Sequence, residues 1–200
     1  MKYYLDIILL PDAEANLGFL WQKVFQQVHI ALVDNKIGDN ESSIALSIVN
    51  YGDKDFPLGN QLRLLAHTEE ALRKLDIHCW LSRLSDYCHI RSIKLVPADV
   101  SQYACFKRKP FKSLEKKAQR RAVHLNKSYD DVLAYLQEES GAKDCKLPYI
   151  NVESQRAKKR SKLGESTYFL LFIERIFVDK PVDGKFDCYG LSKTAVVPWF

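Results

Sequence analysis

The feature that most constrains the fold is an apolar stripe near the start of the chain. Its members recur at helical spacing, and they are Leu17, Leu20, Trp21, Val24, Phe25, Val28, Ala31 and Leu32. The i, i+3, i+4, i+7 pattern is typical of a helix that packs one face on a sheet. Residues 3–10, which are rich in aliphatic and aromatic residues and are followed by Pro11 and Asp12, predict the first strand of that sheet.

The rest of the first 97 residues continues the alternation of strands and helices. The predicted elements are strands at residues 42–51, 61–67 and 90–96, and a helix that follows the N-cap residue Thr68 and has apolar positions Leu72, Leu75, Trp80, Leu81 and Leu84. The order β-α-β-β-α-β predicts an α+β protein with an N-terminal ferredoxin-like domain, residues 1–97. Its four antiparallel strands are expected to carry two helices on one face.

The second half of the chain carries an excess of positive charge. Residues 1–100 hold 10 Lys and Arg against 13 Asp and Glu, whereas residues 101–200 hold 20 against 12. The pattern there predicts a helix from about Leu114, a second helix at residues 129–139, and two β segments at residues 147–154 and 167–178. We therefore expect a second domain, residues 98–200, with α/β structure, a basic helix, a β-hairpin and a polyanionic partner.

Two clusters of basic residues carry much of that charge. Residues 107–121 contain eight Lys and Arg with one acid, and residues 156–162 contain five more. A helix from Leu114 would place its cations on one face and Leu114, Ala118, Ala122 and Leu125 on the other. A solvated helix face and a membrane surface are the alternatives, although neither cluster has bulky apolar residues that could insert into lipid. Composition leaves both DNA and RNA open as the nucleic-acid partner.

Cysteine usage and hydropathy bear on location and cofactors. The five cysteines are scattered without a Cys-x-x-Cys pair, which favours reduced thiols. The spacing of His78, Cys79, Cys88 and His89 fits no common zinc site, so no metal or cofactor is expected. No run approaches the roughly 18 apolar residues of a membrane helix, and the chain opens on a strand pattern and not on a signal peptide, which predicts a cytoplasmic protein.

The last residues, Cys-Tyr-Gly-Leu-Ser-Lys-Thr-Ala-Val-Val-Pro-Trp-Phe, closely resemble the ending of the type I-F CRISPR repeat-processing endoribonucleases, the F form of the Cas family numbered six. The resemblance extends to the opening strand, to Val-His-Ile-Ala-Leu in the first helix, to the two later β segments and to the position of the basic helix. It implies a metal-independent endoribonuclease of antiviral defence. Such an enzyme binds the CRISPR repeat hairpin, cleaves precursor CRISPR RNA at the hairpin base by 2′-hydroxyl attack, leaves a cyclic phosphate and retains the product.

The resemblance also implies a catalytic site of three residues. His29 matches the catalytic histidine of the family, Ser154 matches the serine that holds the nucleophilic ribose hydroxyl, and Tyr189 matches the tyrosine that orients the histidine. A neutral imidazole is suited to taking the hydroxyl proton, although the sequence leaves open whether His29 acts as base, as acid or as both. By spacing alone, His29 would be a surface residue, Ser154 the end of a strand and Tyr189 part of the core.

A set of RNA-binding residues follows from the same resemblance. Phe169 matches the aromatic on which the terminal base pair stacks, a contact worth about 1–3 kcal/mol per base. The basic helix matches the arginine helix that enters the hairpin groove, with two lysines that give charge without a bidentate fork. Lys107 and Arg108 are the candidate base readers before it, with Arg the better reader of guanine. The expected RNA-binding residues are Lys107, Arg108, Lys112, Lys116, Lys117, Arg120, Arg121 and Phe169.

The expected partners and the alternative functions follow from the same residues. The resemblance implies that other subunits of a type I-F surveillance complex are partners, and the chain itself is expected to be a monomer. A non-catalytic RNA-hairpin-binding subunit of a CRISPR effector complex would need only the basic helix and the basic loop. A DNA-binding regulator would need a recognition helix, usually with dimer symmetry, and no dimer seam is evident in the sequence.

Overall fold

The computed structural model describes residues 1–110, 114–140, 146–154 and 167–200, and within residues 114–140 it describes the side chains of residues 117–136. The fold is α+β with two antiparallel sheets, as the sequence predicts at that level. The strands are β1 (Tyr3–Leu9), β2 (Ile44–Ile48), β3 (Gln61–Ala66), β4 (Cys88–Ile90), β5 (Lys94–Leu95), β6 (Gln102–Lys109), β7 (Tyr149–Glu153), β8 (Tyr168–Val178) and β9 (Val197–Trp199). The helices are α1 (Leu17–Asp34), α2 (Glu69–Leu75), α3 (Ile77–Trp80), α4 (Leu114–Leu125) and α5 (Tyr129–Ser140).

The first sheet has the strand order β2-β3-β1-β4, and the short strand β5 also pairs with β1. All of these pairs are antiparallel, with Leu5 opposite Leu64 and Leu64 opposite Leu46. Residues 61–67 alternate polar and apolar positions, a pattern typical of a strand with one solvated face. The predicted strand is confirmed as β3, and every residue of β3 after Gln61 is buried, Arg63 included. A central strand buries both faces, and Arg63 is accommodated there by an ion pair.

The second sheet has the order β7-β8-β6-β9. Strands β7 and β8 pair antiparallel with Ile150 opposite Leu171, which confirms the predicted hairpin. Strand β6, which was not predicted from the sequence, pairs antiparallel with β9. Only three consecutive residues at its centre are buried, while its end is exposed and cationic. The local pattern therefore gives neither a regular alternation nor a long apolar run.

Helix α1 confirms the prediction from the apolar stripe. All stripe residues except Leu17 are buried. Asn16 caps the helix, because its side chain accepts a hydrogen bond from the Phe19 N–H at 3.0 Å. The helix ends at Asp34, and the Asn35 N–H donates to the Ala31 carbonyl. Its buried face thus presents a fixed set of side chains to the strands beside it, and His29 is carried on the same helix.

Two predicted elements of the first half are each divided in the structure. The helix expected to run from residue 69 to Leu84 is broken at Asp76, which has a φ of 46° and separates α2 from α3. A 3-10 turn, Ser82–Leu84, follows α3. The single strand expected at residues 90–96 is two short strands, β4 and β5, both paired with β1. The break at Asp76 comes from the left-handed conformation of one residue, which apolar spacing does not specify.

The described chain forms two compact units. The larger contains Met1–Arg108 and Pro148–Phe200, and the smaller contains Lys109–Leu147. The large unit has the main hydrophobic core, and the small unit has its own cluster of Ala118, Ala122, Val132 and Leu136. The predicted division into domains of residues 1–97 and 98–200 concerns segments that fold independently. Compact units do not test independent folding, so this division stays a prediction. In the described ranges no helix is both long and apolar enough to cross a membrane.

A buried ion pair joins the two central strands of the first sheet. Arg63 donates from Nε to Oδ1 of Asp6 at 2.7 Å and from Nη2 to Oδ2 at 3.1 Å. Its Nη1 donates to the backbone oxygen of Phe200 at 2.9 Å. The guanidinium also lies over the rings of Tyr4 and Phe200, 4.4 Å and 4.0 Å from their centres. One side chain therefore links β1, β3 and the residue that follows β9.

Removing one member of this pair should destabilise the protein strongly. The two side chains are only 7% and 3% exposed, so Asp6→Ala leaves an unpaired buried charge and should lower the free energy of unfolding by about 3–5 kcal/mol. Urea denaturation measures the change. As a control, Arg73→Ala removes the exposed pair with Glu69 and should cost less than about 1 kcal/mol. Equal losses in the two variants would contradict the role assigned to the buried pair.

Candidate active site and basic helix

A cleft of about 690 Å³ lies in the large unit, and it brings together residues that are distant in the chain. Helix α1, the segment after it, three strand ends and the loop before β9 all contribute. The lining residues are His29, Ile30, Val33, Lys36, Asp39, Asn40, Arg108, Glu153, Ser154, Phe169, Cys188 and Tyr189. Five residues singled out from the sequence are therefore in one place, namely His29, Ser154, Tyr189, Phe169 and Arg108.

His29 is held on two sides by the loop before β9. Its Nδ1 lies 2.8 Å from the backbone oxygen of Cys188. Its ring stacks on the Tyr189 ring, with 4.0 Å between centroids and 9° between planes. The Tyr189 ring is also parallel to that of Phe25, one helical turn before His29, with centroids 6.2 Å apart. These contacts fix both the position and the rotation of the imidazole.

The hydrogen bond to Cys188 determines which ring nitrogen of His29 carries the proton, and burial determines its charge. A carbonyl oxygen can only accept a hydrogen bond, so Nδ1 carries the proton and Nε2 carries the lone pair in the neutral ring. Burial lowers the pKa of His29, and the hydrogen bond to the Cys188 carbonyl only partly opposes this shift. His29 is therefore neutral at physiological pH, with a basic nitrogen in the cleft.

The loop that holds His29 is organised by Asp187. Oδ1 of Asp187 accepts hydrogen bonds from the N–H groups of Tyr189 at 2.8 Å and Leu191 at 3.0 Å. Gly190 closes the turn with a φ of 72°, and a Cβ there would lie 2.9 Å from Cβ of Leu46. Burial raises the pKa of Asp187, while these two backbone donors act in the opposite direction. Asp187 thus sets the place of the Cys188 carbonyl and of the Tyr189 ring.

Loss of the Asp187 acceptor should slow the chemistry of the cleft. On the expectation from the sequence that His29 acts in RNA cleavage, Asp187→Ala should lower the single-turnover rate by about 10- to 100-fold, because a small misplacement of a catalytic group costs rate. Hairpin affinity should stay near that of the parent protein. Asp187→Asn is the matched control, since its side-chain oxygen can still accept both hydrogen bonds, and it should restore most of the rate. A loss of rate in the asparagine variant as large as in the alanine variant would contradict this positioning role.

Ser154 and Phe169 enter the cleft from the β7-β8 hairpin. Ser154 directly follows β7, and its N–H donates to the Thr167 carbonyl at 2.8 Å. Phe169 is opposite Val152 in the hairpin, and its ring is partly exposed. The neighbouring Glu153 N–H donates at 3.0 Å to Oε1 of the buried Gln26 on α1. This bond ties the end of β7 to the helix that carries His29.

Several of these residues were not predicted from the sequence. Gln26, Lys36 and Asn40 carry no signal in the apolar pattern. Asn40 accepts a hydrogen bond from the Cys188 N–H at 3.4 Å and so also supports the loop. Asp187 did carry a signal, because Asp followed three residues later by Gly is typical of a β-turn.

The structure separates the two candidate base readers. Arg108 lines the cleft, and its guanidinium carbon lies 5.3 Å from the centre of the Phe169 ring and 5.8 Å from that of Tyr189. Lys107 is the preceding residue of β6, and successive side chains of a strand point to opposite faces. It does not belong to the described lining of the cleft.

The basic helix α4 belongs to the small unit. Ala118 and Ala122 are buried against α5, as predicted, and Lys117, Arg120 and Arg121 are exposed. Leu125 was expected on the packed side but is 45% exposed, because it is the last residue of the helix. The guanidinium of Arg121 lies 5.3 Å from the centre of the Tyr135 ring. Lys112, the side chain of Lys116 and the basic loop at residues 156–166 lie outside the described residues.

No three His, Cys, Asp or Glu side chains converge as metal ligands in the part of the chain that the structure describes. Of the four residues considered for zinc, Cys79 is exposed, and Cys88 is buried with its thiol donating to the Leu84 carbonyl at 3.2 Å.

Comparison with known proteins gives a family match over nearly the whole chain. The model of the family described as CRISPR-associated protein (Cas_Csy4) matches residues 4–200. A protein of Escherichia coli (strain UTI89 / UPEC) named CRISPR-associated endonuclease Cas6/Csy4 is 29% identical over 201 residues, which cover the full length of both chains. A protein of the same name from Pseudomonas aeruginosa (strain UCBPP-PA14) is 30% identical over 201 residues, again at full length. The resemblance to the type I-F repeat-processing proteins is thereby confirmed, and the chain belongs to the Cas_Csy4 family of CRISPR-associated proteins.

Proposed function

We propose that this protein is an endoribonuclease that binds the CRISPR repeat hairpin and cleaves precursor CRISPR RNA at the hairpin base without a metal ion. The observation that carries the proposal is the His29 imidazole, held by the Cys188 carbonyl and the Tyr189 ring in a cleft that Ser154 also lines. The two full-length relatives are named CRISPR-associated endonucleases, which supports endonuclease activity.

His29 is the general base of the proposed reaction. Its Nδ1–H is engaged with the Cys188 carbonyl, so Nε2 accepts the proton of the 2′-hydroxyl upstream of the cut. The 2′-oxygen then forms a bond to phosphorus as the bond to the 5′-oxygen breaks, which leaves a 2′,3′-cyclic phosphate. The nucleophile belongs to the RNA itself, so the step requires positioning of the substrate and not activation of a water molecule.

Ser154 and Phe169 position the substrate for this step. The Ser154 hydroxyl holds the ribose that carries the nucleophile, and the partly exposed Phe169 ring stacks on the terminal base pair of the hairpin. Tyr189 orients His29 through ring stacking. The proposal thus gives each residue one role in placing a 2′-hydroxyl beside a base.

The RNA hairpin is bound mainly by the basic residues of the second half. Lys117, Arg120 and Arg121 are exposed on α4, and the expected set also contains Lys107, Lys112 and Lys116. Groove entry by a cationic helix is feasible at the end of a short hairpin, where the deep A-form groove opens. We further propose that the other subunits of a type I-F surveillance complex are partners of the RNA-bound protein, which is a monomer on its own.

The finer fold assignment is also a proposal. The strand order β2-β3-β1-β4, with antiparallel pairs and with helices after the first and third strands, supports a ferredoxin-like arrangement for residues 1–97. Residues 98–200 would then form the RNA-hairpin-binding domain. Expression of residues 1–97 alone, followed by thermal unfolding, tests whether this segment folds independently.

Cleavage of a modified substrate tests the proposed reaction. The purified protein in EDTA is incubated with the CRISPR repeat RNA of its host, and with the same RNA carrying a 2′-deoxy nucleotide upstream of the cut. Cleavage of the first RNA alone, with a cyclic phosphate end, supports the mechanism. Tight binding without cleavage of either RNA would favour a non-catalytic hairpin-binding subunit, and absence of binding would contradict the proposed function.

The pH dependence of cleavage should distinguish a base from an acid. Burial lowers the pKa of His29, so the neutral base is fully present at physiological pH and is lost only on acidification. The single-turnover rate should therefore be flat around neutral pH and fall by about tenfold per pH unit on the acid side of the ordinary histidine pKa. A rate that falls as the pH rises through neutrality would instead indicate that protonated His29 is required.

A further inference from the structure

The guanidinium of Arg108 occupies the same cleft as the proposed general base. It lies over the Phe169 and Tyr189 rings, with 5.3 Å and 5.8 Å from the guanidinium carbon to the ring centres. The Tyr189 ring stacks directly on His29. Because both groups contact the Tyr189 ring, the distance from the guanidinium carbon of Arg108 to the centre of the His29 ring cannot exceed these 4.0 Å and 5.8 Å distances combined. A phosphate bound in this cleft beside His29 would lie close to both side chains.

The charged residues that line the cleft bear on the role of Arg108. Among the described residues that line it, Lys36 and Arg108 are cationic, and Asp39 and Glu153 are anionic. Lys36 and Asp39 are close in the chain, whereas Arg108 contacts the two rings assigned to RNA stacking and to histidine orientation. Asp187 organises the turn that carries Tyr189. Burial raises the pKa of Asp187, and the positive charge of Arg108 acts in the opposite direction. Of these two described lining cations, Arg108 is the one that contacts the Tyr189 ring, which stacks on His29.

The proposed reaction needs such a cation. Attack of the 2′-oxygen adds negative charge to the nonbridging oxygens of the phosphate, and a fixed donor aimed at them lowers the barrier. A guanidinium stays charged at every accessible pH and presents planar, paired N–H donors that match phosphate geometry. The contacts with the Phe169 and Tyr189 rings place the exposed guanidinium beside the cleft before RNA binds.

We propose that Arg108 is a further catalytic residue, which donates hydrogen bonds from its guanidinium to the nonbridging oxygens of the scissile phosphate. The inference rests on the proposed function and adds one group to it. In the step, the 2′-hydroxyl proton passes to Nε2 of His29, the bond from the 2′-oxygen to phosphorus forms, and the bond from phosphorus to the 5′-oxygen breaks. The 5′-oxygen leaves as the hydroxyl after taking up a proton from the imidazolium or from water. Arg108 transfers no proton and stabilises charge only.

This role differs from the base reading that the sequence suggests for Arg108. A residue that reads guanine must reach the base edge in the groove. The guanidinium carbon of Arg108 instead lies 5.8 Å from the centre of the Tyr189 ring. Lys107, which the strand alternation directs to the opposite face, remains the candidate reader. The two neighbours should therefore affect different properties, Arg108 the chemical step and Lys107 the recognition of the hairpin.

The test compares Arg108→Gln with Arg108→Lys and with a matched control, Arg91→Gln. Arg91 is an exposed arginine of the same unit that does not line the cleft, so the control has the same substitution and the same loss of charge. Single-turnover cleavage of the repeat RNA is measured at saturating protein, and affinity is measured with the 2′-deoxy RNA. Arg108→Gln should cleave about 100- to 1,000-fold more slowly with only a few-fold loss of affinity. Arg108→Lys should recover part of the rate, and Arg91→Gln should match the parent protein.

A sulfur substitution separates catalysis from structure. Replacing one nonbridging oxygen of the scissile phosphate by sulfur should slow the parent protein more than it slows Arg108→Gln, because the variant has already lost the contact. Equal sulfur effects in both proteins, or a normal saturated rate in Arg108→Gln, would overturn the role of Arg108 and leave the proposed function intact. Absence of cleavage by the parent protein would overturn both proposals.

Discussion

Replacing His29 by alanine should reduce the single-turnover rate of repeat-RNA cleavage by about 100- to 10,000-fold, the usual contribution of a general base. The substitution removes the imidazole whose Nδ1 proton is held by the Cys188 carbonyl, and with it the proposed base Nε2. It leaves the exposed cations of α4 unchanged. The affinity for a 2′-deoxy hairpin should therefore change by less than about threefold, so the loss appears in the rate and not in binding.

The control for this variant is a histidine elsewhere on the same unit. His78 is exposed on α3 and does not line the cleft, and His78→Ala should cleave at the parent rate. Thermal unfolding of both variants monitors folding, since His29 also packs against Tyr189. If His29→Ala lost hairpin binding together with cleavage, while His78→Ala did not, His29 would be a structural residue of the RNA-binding surface and not the base.

The parts of the fold that the sequence predicts well are those with strong local periodicity. The stripe from Leu17 to Leu32 gives α1, and the paired β segments give the β7-β8 hairpin. The missed features depend on partners distant in the chain. Strand β6 exists because β9 pairs with it, and Arg63 is tolerated in a central strand because Asp6 and Phe200 surround it. Neither partner is visible in a local window of sequence.

The candidate site illustrates the same limit in a different way. Spacing alone gives no reason to bring His29 together with Ser154 and Tyr189, and the resemblance of the C-terminal residues was the source of that grouping. The structure adds the physical reason, because α1, the end of β7 and the Asp187 turn meet at one cleft. It also adds Asp187 and Gln26, whose contributions are hydrogen bonds to backbone N–H groups. Such bonds leave no periodic trace in the sequence.

Charge reversal on the basic helix should give the largest loss of RNA binding. Arg120 and Arg121 are both exposed on α4. The small core of this unit is formed by Ala118, Ala122, Val132 and Leu136, so the two substitutions lie outside it. Charge-assisted hydrogen bonds are worth about 1.5–3 kcal/mol each, so Arg120→Glu with Arg121→Glu should weaken hairpin affinity by about 100- to 10,000-fold. The variant should also show a shallower salt dependence, because fewer counterions are released on binding.

A matched reversal outside the basic helix separates local contacts from overall charge. Arg83→Glu with Arg91→Glu removes the same amount of positive charge from a chain of formal net charge +5, at two exposed arginines of the large unit. If α4 binds the hairpin directly, this control should lose only a few-fold in affinity and keep the parent salt slope. Equal losses in the two double variants would mean that long-range attraction, and not contact by α4, supplies the affinity. At saturating protein, the RNA that the α4 variant still binds should be cleaved at the parent rate, because His29 and its supporting loop are unchanged.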